Sequence, residues 1–286
     1  PIYQIIIKNR QKKHMAQLTD TTRAALEELL ETSLRATPTD WQTIRLKSAV
    51  IGYVYPACEA LIREYLAQDG VSGLAVFGQH LQLDDLDPFE LSQRLELLAQ
   101  FLRKKDCVPG WRDEAYAWVD EYGMEHFRME RAVFRVLGLH SRACHINGYT
   151  RDQKLWLGKR SPDKATDPNM LDNLAAGGMA ADETIYQCVL RELWEEAGID
   201  PEISRHTQPI GHIHVRRIVE NKGLHDESLY THDLLMPDEY EPANQDGEVS
   251  GFQCVSFTEA ADLILAGEMT PDAAAVTADF LLRHTR

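Results

Sequence analysis

Apolar residues recur at three- and four-residue spacing in several stretches of the chain and alternate with polar ones in others. Between Thr21 and Leu34, Ala24, Ala25, Leu26, Leu29 and Leu30 line one side of a helix. Trp41 to Lys47 and Ala49 to Tyr55 read as two short strands. Pro56, favourable at a first helical position, opens a helix to about Ala67, with Gly70 beyond its end. Leu74 to Leu83 reads as a strand. Asp87-Pro88-Phe89-Glu90 starts the next helix, with Asp as cap, Pro first and Glu third, and it runs to about Lys104. After the turn at Val108-Pro109-Gly110, Glu114 to Val119 is a strand and Phe127 to Leu137 a helix. Residues 19–137 thus predict a small α+β domain, in which no catalytic constellation stands out.

The second half begins with strands at 140–150 and 153–160, joined across Arg151-Asp152. A polar loop, Ser161 to Asn173, leads to Gly177–Ile199, GGMAADETIYQCVLRELWEEAGI. Here Asp182 is a helix cap, Glu183 suits the first turn, and Tyr186, Val189, Leu190, Leu193 and Ala197 form the apolar stripe. Gly198 supplies the stop. Strands follow at Ile210 to Val219, Ser228 to Met236 and Glu248 to Val255, and helices at Thr258 to Ala266 and Pro271 to His284. Residues 138–286 therefore predict an α/β domain, and residues 1–18 are set apart as a leader with Met15 a candidate start.

The chemistry concentrates on the helix after Gly177. Glu192, Glu195 and Glu196 stand at i, i+3 and i+4 and share a face. A like-charged pair at this spacing costs about 0.2–0.5 kcal/mol even when exposed. Arg191 relieves part of it through Glu195, and a bound divalent cation would relieve the rest. Carboxylates alone are hard oxygen donors, which suit Mg²⁺ or Mn²⁺ better than Zn²⁺. Lys159, Arg160 and Lys164, just before this stretch, are candidate phosphate contacts. His212, His214 and Arg216 alternate on one strand face as a candidate substrate wall.

Composition narrows the classes. With 45 acidic against 30 basic residues the net charge is −15, which argues against a nucleic-acid partner but not against an anionic small molecule met through metal ions. No apolar run approaches the roughly 20 residues of a membrane span. Cys58, Cys107, Cys144, Cys188 and Cys254 are scattered without a CxxC pair, which predicts a reducing cytoplasmic setting, no disulfide framework and no zinc site.

The spacing Gly177-x5-Glu183-x7-Arg191-Glu192-Leu193-x-Glu195-Glu196-x-Gly198-Ile199 resembles the Nudix box, the signature of hydrolases of nucleoside diphosphates linked to another moiety and of related diphosphates. The resemblance implies an α/β/α sandwich and a metal-dependent diphosphatase using Mg²⁺ or Mn²⁺. It implies Glu192, Glu195 and Glu196 as metal ligands, with Glu183 and the Gly177 carbonyl as further candidates. Glu192 is also a candidate base, Arg191 an orienting group, and Glu248, outside the box, a candidate base or further ligand.

His145-Ile146-Asn147-Gly148-Tyr149, Leu155-Trp156-Leu157-Gly158-Lys159-Arg160, Leu171-Asp172-Asn173-Leu174-Ala175-Ala176 and Asp246-Gly247-Glu248-Val249 are similar to a narrower subgroup. That subgroup carries an N-terminal domain of unknown function and is related to the Nudix domain fused to fungal thiamine pyrophosphokinase. It implies hydrolysis of thiamine diphosphate, or its oxidised and toxic analogues, to the monophosphate. Trp156, Tyr149 and Tyr230 are candidate aromatics for such a ligand. The chain departs from the subgroup at Leu137-Gly138-Leu139, where relatives tend to have Phe-Gly-Ile, and residues 1–40 match nothing in it. The alternatives are hydrolysis of ADP-ribose or another nucleoside diphosphate derivative, and a non-catalytic ligand-binding module. Isomerisation of isopentenyl diphosphate is disfavoured, since no cysteine has the required context. The N-terminal domain is a candidate binding or homodimerisation module.

Overall fold

The computed structural model describes residues 17–33, 36–164 and 166–285. Most of the leader expected at 1–18 lies outside them. The chain begins with α1 (Asp20–Thr32), whose Thr19 cap accepts from the Thr22 amide. A four-stranded sheet follows, built from β1 (Thr43–Leu46), β2 (Ala49–Tyr53), β3 (Leu74–Phe77) and β4 (His80–Leu83) in the order β2-β1-β4-β3. The stretch 74–83 is thus a hairpin and not one strand, because Gly78 takes a left-handed turn conformation at its centre.

Helices α2 (Pro56–Leu66) and α3 (Pro88–Lys104) pack on this sheet, and Asp87 caps α3 by accepting from the Phe89 and Glu90 amides. Leu91, Leu95, Leu98 and Leu102 of α3 meet Ile44, Leu81 and Leu83 in one core. Cys58 on α2 and Cys107 after α3 form a disulfide with Cα atoms 6.2 Å apart, contrary to the expectation of none. Scattered positions in the sequence become neighbours because α2 and the end of α3 lie side by side.

The β-hairpin β5 (Ala115–Val119) and β6 (Glu125–Glu130) leads into the short helix α4 (Arg131–Val136). The helix predicted from Phe127 therefore starts late. Phe127 and Met129 are buried strand residues paired with Trp118 and Tyr116.

The remaining strands form one sheet: β7 (Ser141–Tyr149), β8 (Lys154–Arg160), β9 (Leu171–Asp172), β10 (Ala175–Gly178), β11 (Gln208–Val219), β12 (Gly223–Leu235) and β13 (Val249–Ser256). Its spine runs β11-β12-β7-β8-β13, with β10 on β7 and β9 on β8, and β12 parallel to β7. One face carries α5 (Ile185–Ala197) and the short α6 (Pro201–Ser204). Cys144 and Ile146 of β7 meet Cys188, Val189, Leu193 and Ala197 of α5 there. The other face carries α7 (Phe257–Leu265) and α8 (Pro271–His284). Ala143, one step along β7 and so pointing the opposite way, shares a cluster with Val276 of α8. The result is the α/β/α sandwich.

Helix α1 crosses the boundary expected between 137 and 138. Leu26 is buried in the cluster that holds Phe257, Phe280 and Leu281, and Arg23 donates to the Thr285 carbonyl at 3.1 Å. Among the described residues no helix is long and apolar enough to cross a membrane.

Candidate active site

Helix α5 starts at Thr184, not Asp182. The Thr184 hydroxyl accepts from the Gln187 amide while the Gln187 side chain accepts from the Thr184 amide, a reciprocal cap. Asp182 instead pairs with Arg128 of β6. Tyr186, expected on the apolar stripe, is half exposed, and Cys188 takes a buried place beside Val189 and Leu193. Gly198 ends the helix in the left-handed conformation.

Two of the three box glutamates are buried: Glu192 is 7% and Glu196 6% exposed. Burial pushes the Glu192 carboxyl up to about 7 and raises Glu196 well above the carboxylate range, with Glu192 adding to the rise. Glu196 accepts from the Ala176 amide at 2.9 Å, which ties α5 to β10. Arg191 gathers the others. It donates to Glu183 at 2.5 and 2.9 Å, to Glu192 at 2.5 Å, to Glu195 at 3.2 Å and to the Gly178 carbonyl at 3.1 Å. Glu183 lies in the loop before α5, faces Arg191 and also accepts from the Ala180 amide. A Cβ at Gly177 would overlap the Glu192 carboxylate, so only glycine lets β10 pass so close.

A cleft of about 640 Å³ is lined by Gly177, Arg191, Glu192, Glu195 and Glu248, while Glu196 is buried and does not line it. Glu248 precedes β13 and pairs with Lys164. Burial raises its carboxyl, but the Lys164 ammonium, helped by Arg112 and Arg131, leaves it below the usual range. Arg160 reaches the cleft but is committed to Asp172 at 2.8 Å and to the carbonyls of Thr166 and Asp167. Lys159 is exposed and does not line the cleft, because alternation along β8 turns it away. Tyr149 packs on Phe280 and His284, and Trp156 on the α5-side core, so neither supplies a cleft aromatic; Tyr230 stacks by His212. The cleft rings are Tyr116 and Phe134, from the N-terminal part that showed no constellation in sequence.

The donor set fits a divalent cation. Glu192, Glu195, Glu196, Glu248 and the Gly177 carbonyl are all oxygen donors, and the buried carboxylates carry charge that burial alone disfavours. Arg191 shares Glu192 and Glu195 in this arrangement, and the box glutamates do not form a tight ligand cluster. Two other groups do lie close enough to share an ion: His140, His214 and Asp226, and His225, Glu227 and Asp272. Each already has its cation, since Arg216 donates to Asp226 at 2.7 Å and Arg217 pairs with Asp272.

Asp226 is 4% exposed and accepts from His140 and His214 at 2.7 Å each. Thus His214 and Arg216 serve this anion, while His212 stays exposed. Burial would raise Asp226, yet these partners hold it well below the carboxylate range. A carboxyl depressed in the folded state stabilises above its unfolded pKa and loses that contribution as pH falls through the folded value. Asp226→Ala is expected to cost about 3–5 kcal/mol at pH 7. Urea unfolding of both proteins checks this, and the gap should narrow as the pH is taken below about 4.

Glu192, Glu195 and Glu248 thus meet at one cleft of an α/β/α sandwich. The family model described as NUDIX domain matches residues 139–280. "Nudix hydrolase 20, chloroplastic" of Arabidopsis thaliana is 30% identical over 254 residues, covering 84% of this chain and 67% of the relative. "Nudix hydrolase 24, chloroplastic" of the same plant is 30% identical over 246 residues, covering 84% and 66%. The chain thus spans about two thirds of the length of these relatives. A crystal structure of DR0079 from Deinococcus radiodurans aligns with TM-score 0.47 and 21% identity, over 60% of this chain and 100% of that one. The chain belongs to the Nudix hydrolase family.

Proposed function

We propose that this chain is a metal-dependent diphosphatase, with thiamine diphosphate or its oxidised analogues as substrate and the monophosphate as product. The observation that carries the reaction is the meeting of Gly177, Glu192, Glu195 and Glu248 at one cleft, with buried Glu196 bonded to the amide of Ala176, another lining residue. Glu192, Glu195, Glu196 and the Gly177 carbonyl would hold Mg²⁺ or Mn²⁺. When bound, the cation neutralises phosphoryl charge and acidifies water. Arg191 keeps Glu192 and Glu195 in orientation, and Arg160 braces the loop through Thr166 and Asp167.

Glu248, held ionised by Lys164, accepts a proton from the attacking water. The water oxygen bonds to the terminal phosphorus as the bridging P–O bond breaks, in line, and the leaving oxygen departs with the monophosphate. Glu248→Gln is expected to slow kcat by about 10²-fold, the usual scale for an acid–base group. An unchanged rate in steady-state assays would return the proton to Glu192.

The substrate rests on the similarity outside the box and on two further residues that line the cleft. Tyr116 offers a ring there, and Glu227, hydrogen-bonded by Ser141 at 2.7 Å, offers a negative charge to a cationic heterocycle. The cleft volume falls in the range of small-molecule sites. Parallel assays of thiamine diphosphate, oxothiamine diphosphate and ADP-ribose at equal concentration test it. The thiamine compounds should be cleaved faster. Preference for ADP-ribose would keep the reaction and replace the substrate. The working compartment, taken as cytoplasmic, is a proposal of the same standing.

A further inference from the structure

Several of the cations that line the cleft are already engaged. Lys164 pairs with Glu248, Arg160 with Asp172, Arg191 with Glu183, Glu192 and Glu195, and Arg217 with Asp272. The opposite wall of the cleft comes from β5, the loop before it, and α4, and it differs. Arg112 lines the cleft, and among the described residues its guanidinium makes no ion pair or hydrogen bond. Arg135 also lines it, and its one side-chain partner among the described residues is His225 Nδ1 at 3.2 Å, a nitrogen that must accept. No carboxylate forms a direct ion pair with it; burial lowers its pKa, and Glu227, Asp272 and Asp167 offset this only in part from farther off. A buried cation without a direct anionic partner is costly unless an anion joins it.

This wall is fixed to the sandwich. A Cβ at Gly178 would overlap the Tyr116 hydroxyl, and one at Gly223 would overlap the Arg135 carbonyl. The Ala181 amide donates to the Ala115 carbonyl at 2.8 Å, and Arg128 pairs with Asp182. The sandwich backbone is pared to glycine where Tyr116 and the end of α4 arrive, and Arg112 and Arg135 line the same cleft as Glu192 and Glu195. Arg131 is the spoken-for member of the wall, paired with Glu114 and lying over the Tyr116 ring at 5.3 Å.

We propose that Arg112 and Arg135 are substrate-binding residues that grip the phosphoryl oxygens turned away from the glutamates, so that the N-terminal domain forms half of the diphosphate site. This rests on the diphosphatase reading and assigns that domain a role in it. Two guanidiniums suit phosphoryl oxygens, to which they donate charge-assisted hydrogen bonds.

The test is calorimetric binding of methylenediphosphonate, a non-hydrolysable diphosphate, to the full chain with Mg²⁺. Arg112→Ala and Arg135→Ala should each weaken binding by about tenfold or more. The KM for thiamine diphosphate should rise in step while kcat changes little, and Arg135→Lys should recover part of the loss. If Arg135→Ala does not fold, exposed Arg112 decides alone. Binding within twofold of wild type in Arg112→Ala, and in Arg135→Ala where it folds, overturns the proposal and leaves the diphosphatase reading standing. A wild-type chain that neither binds the diphosphonate nor releases phosphate overturns both.

Discussion

Glu196→Gln is expected to lower kcat on the order of 10³-fold or more and, at the same time, to raise the thermal midpoint of the metal-free protein. The two effects share one cause. Glu196 is almost fully buried, its carboxyl is raised by burial and by Glu192, and its anchoring bond comes from the Ala176 amide. Glutamine keeps an oxygen for that amide and removes a charge whose burial is unfavourable without a cation. Catalysis needs the charge and folding does not. Thermal unfolding in chelator together with single-turnover rates in Mg²⁺ checks both halves. A variant that loses activity and stability together would make Glu196 a structural group.

Gly177→Ala is expected to lower kcat/KM by about 10²-fold, the scale of a displacement near 1 Å at a reacting centre. A methyl there overlaps the Glu192 carboxylate, so either β10 or Glu192 must move. Gly211→Ala is the control, because nothing lies within 4 Å of a Cβ at that position. Near-normal turnover in Gly177→Ala would mean that Glu192 is free to swing without penalty.

Local signals carried far into this fold. Asp87 and Pro88 open α3, Gly198 stops α5, and the glutamate spacing marked the acidic helix because each rests on neighbours within a turn or two. Failures came where distant residues decided. Asp182, expected as the α5 cap, pairs with Arg128 of β6, and Thr184 caps the helix instead. Residues 127–137 read as one helix because Phe127, Arg131 and Phe134 have helical spacing, yet pairing with Tyr116 and Trp118 makes the start of that stretch a strand. Ala175–Gly178 has little strand propensity and is a strand because β7 pairs with it.

The site divides the same way. The box carboxylates were legible from one helix. Tyr116, Arg112 and Arg135 were not, since no local pattern links them to cleft residues far along the chain, as Tyr116 is to Gly178. A sequence signal did exist: Gly178 and Gly223 are glycines in strands, which mark close approach of another group. The Cys58–Cys107 bridge escaped notice because scattered spacing says nothing about two helix ends packed together.

The most direct test of the central claim is phosphate release from thiamine diphosphate, measured side by side for the wild-type chain with Mg²⁺, the same chain with chelator, and Glu196→Gln with Mg²⁺. The account predicts release in the first alone. Release that persists in chelator, or that is undiminished in Glu196→Gln, would contradict it.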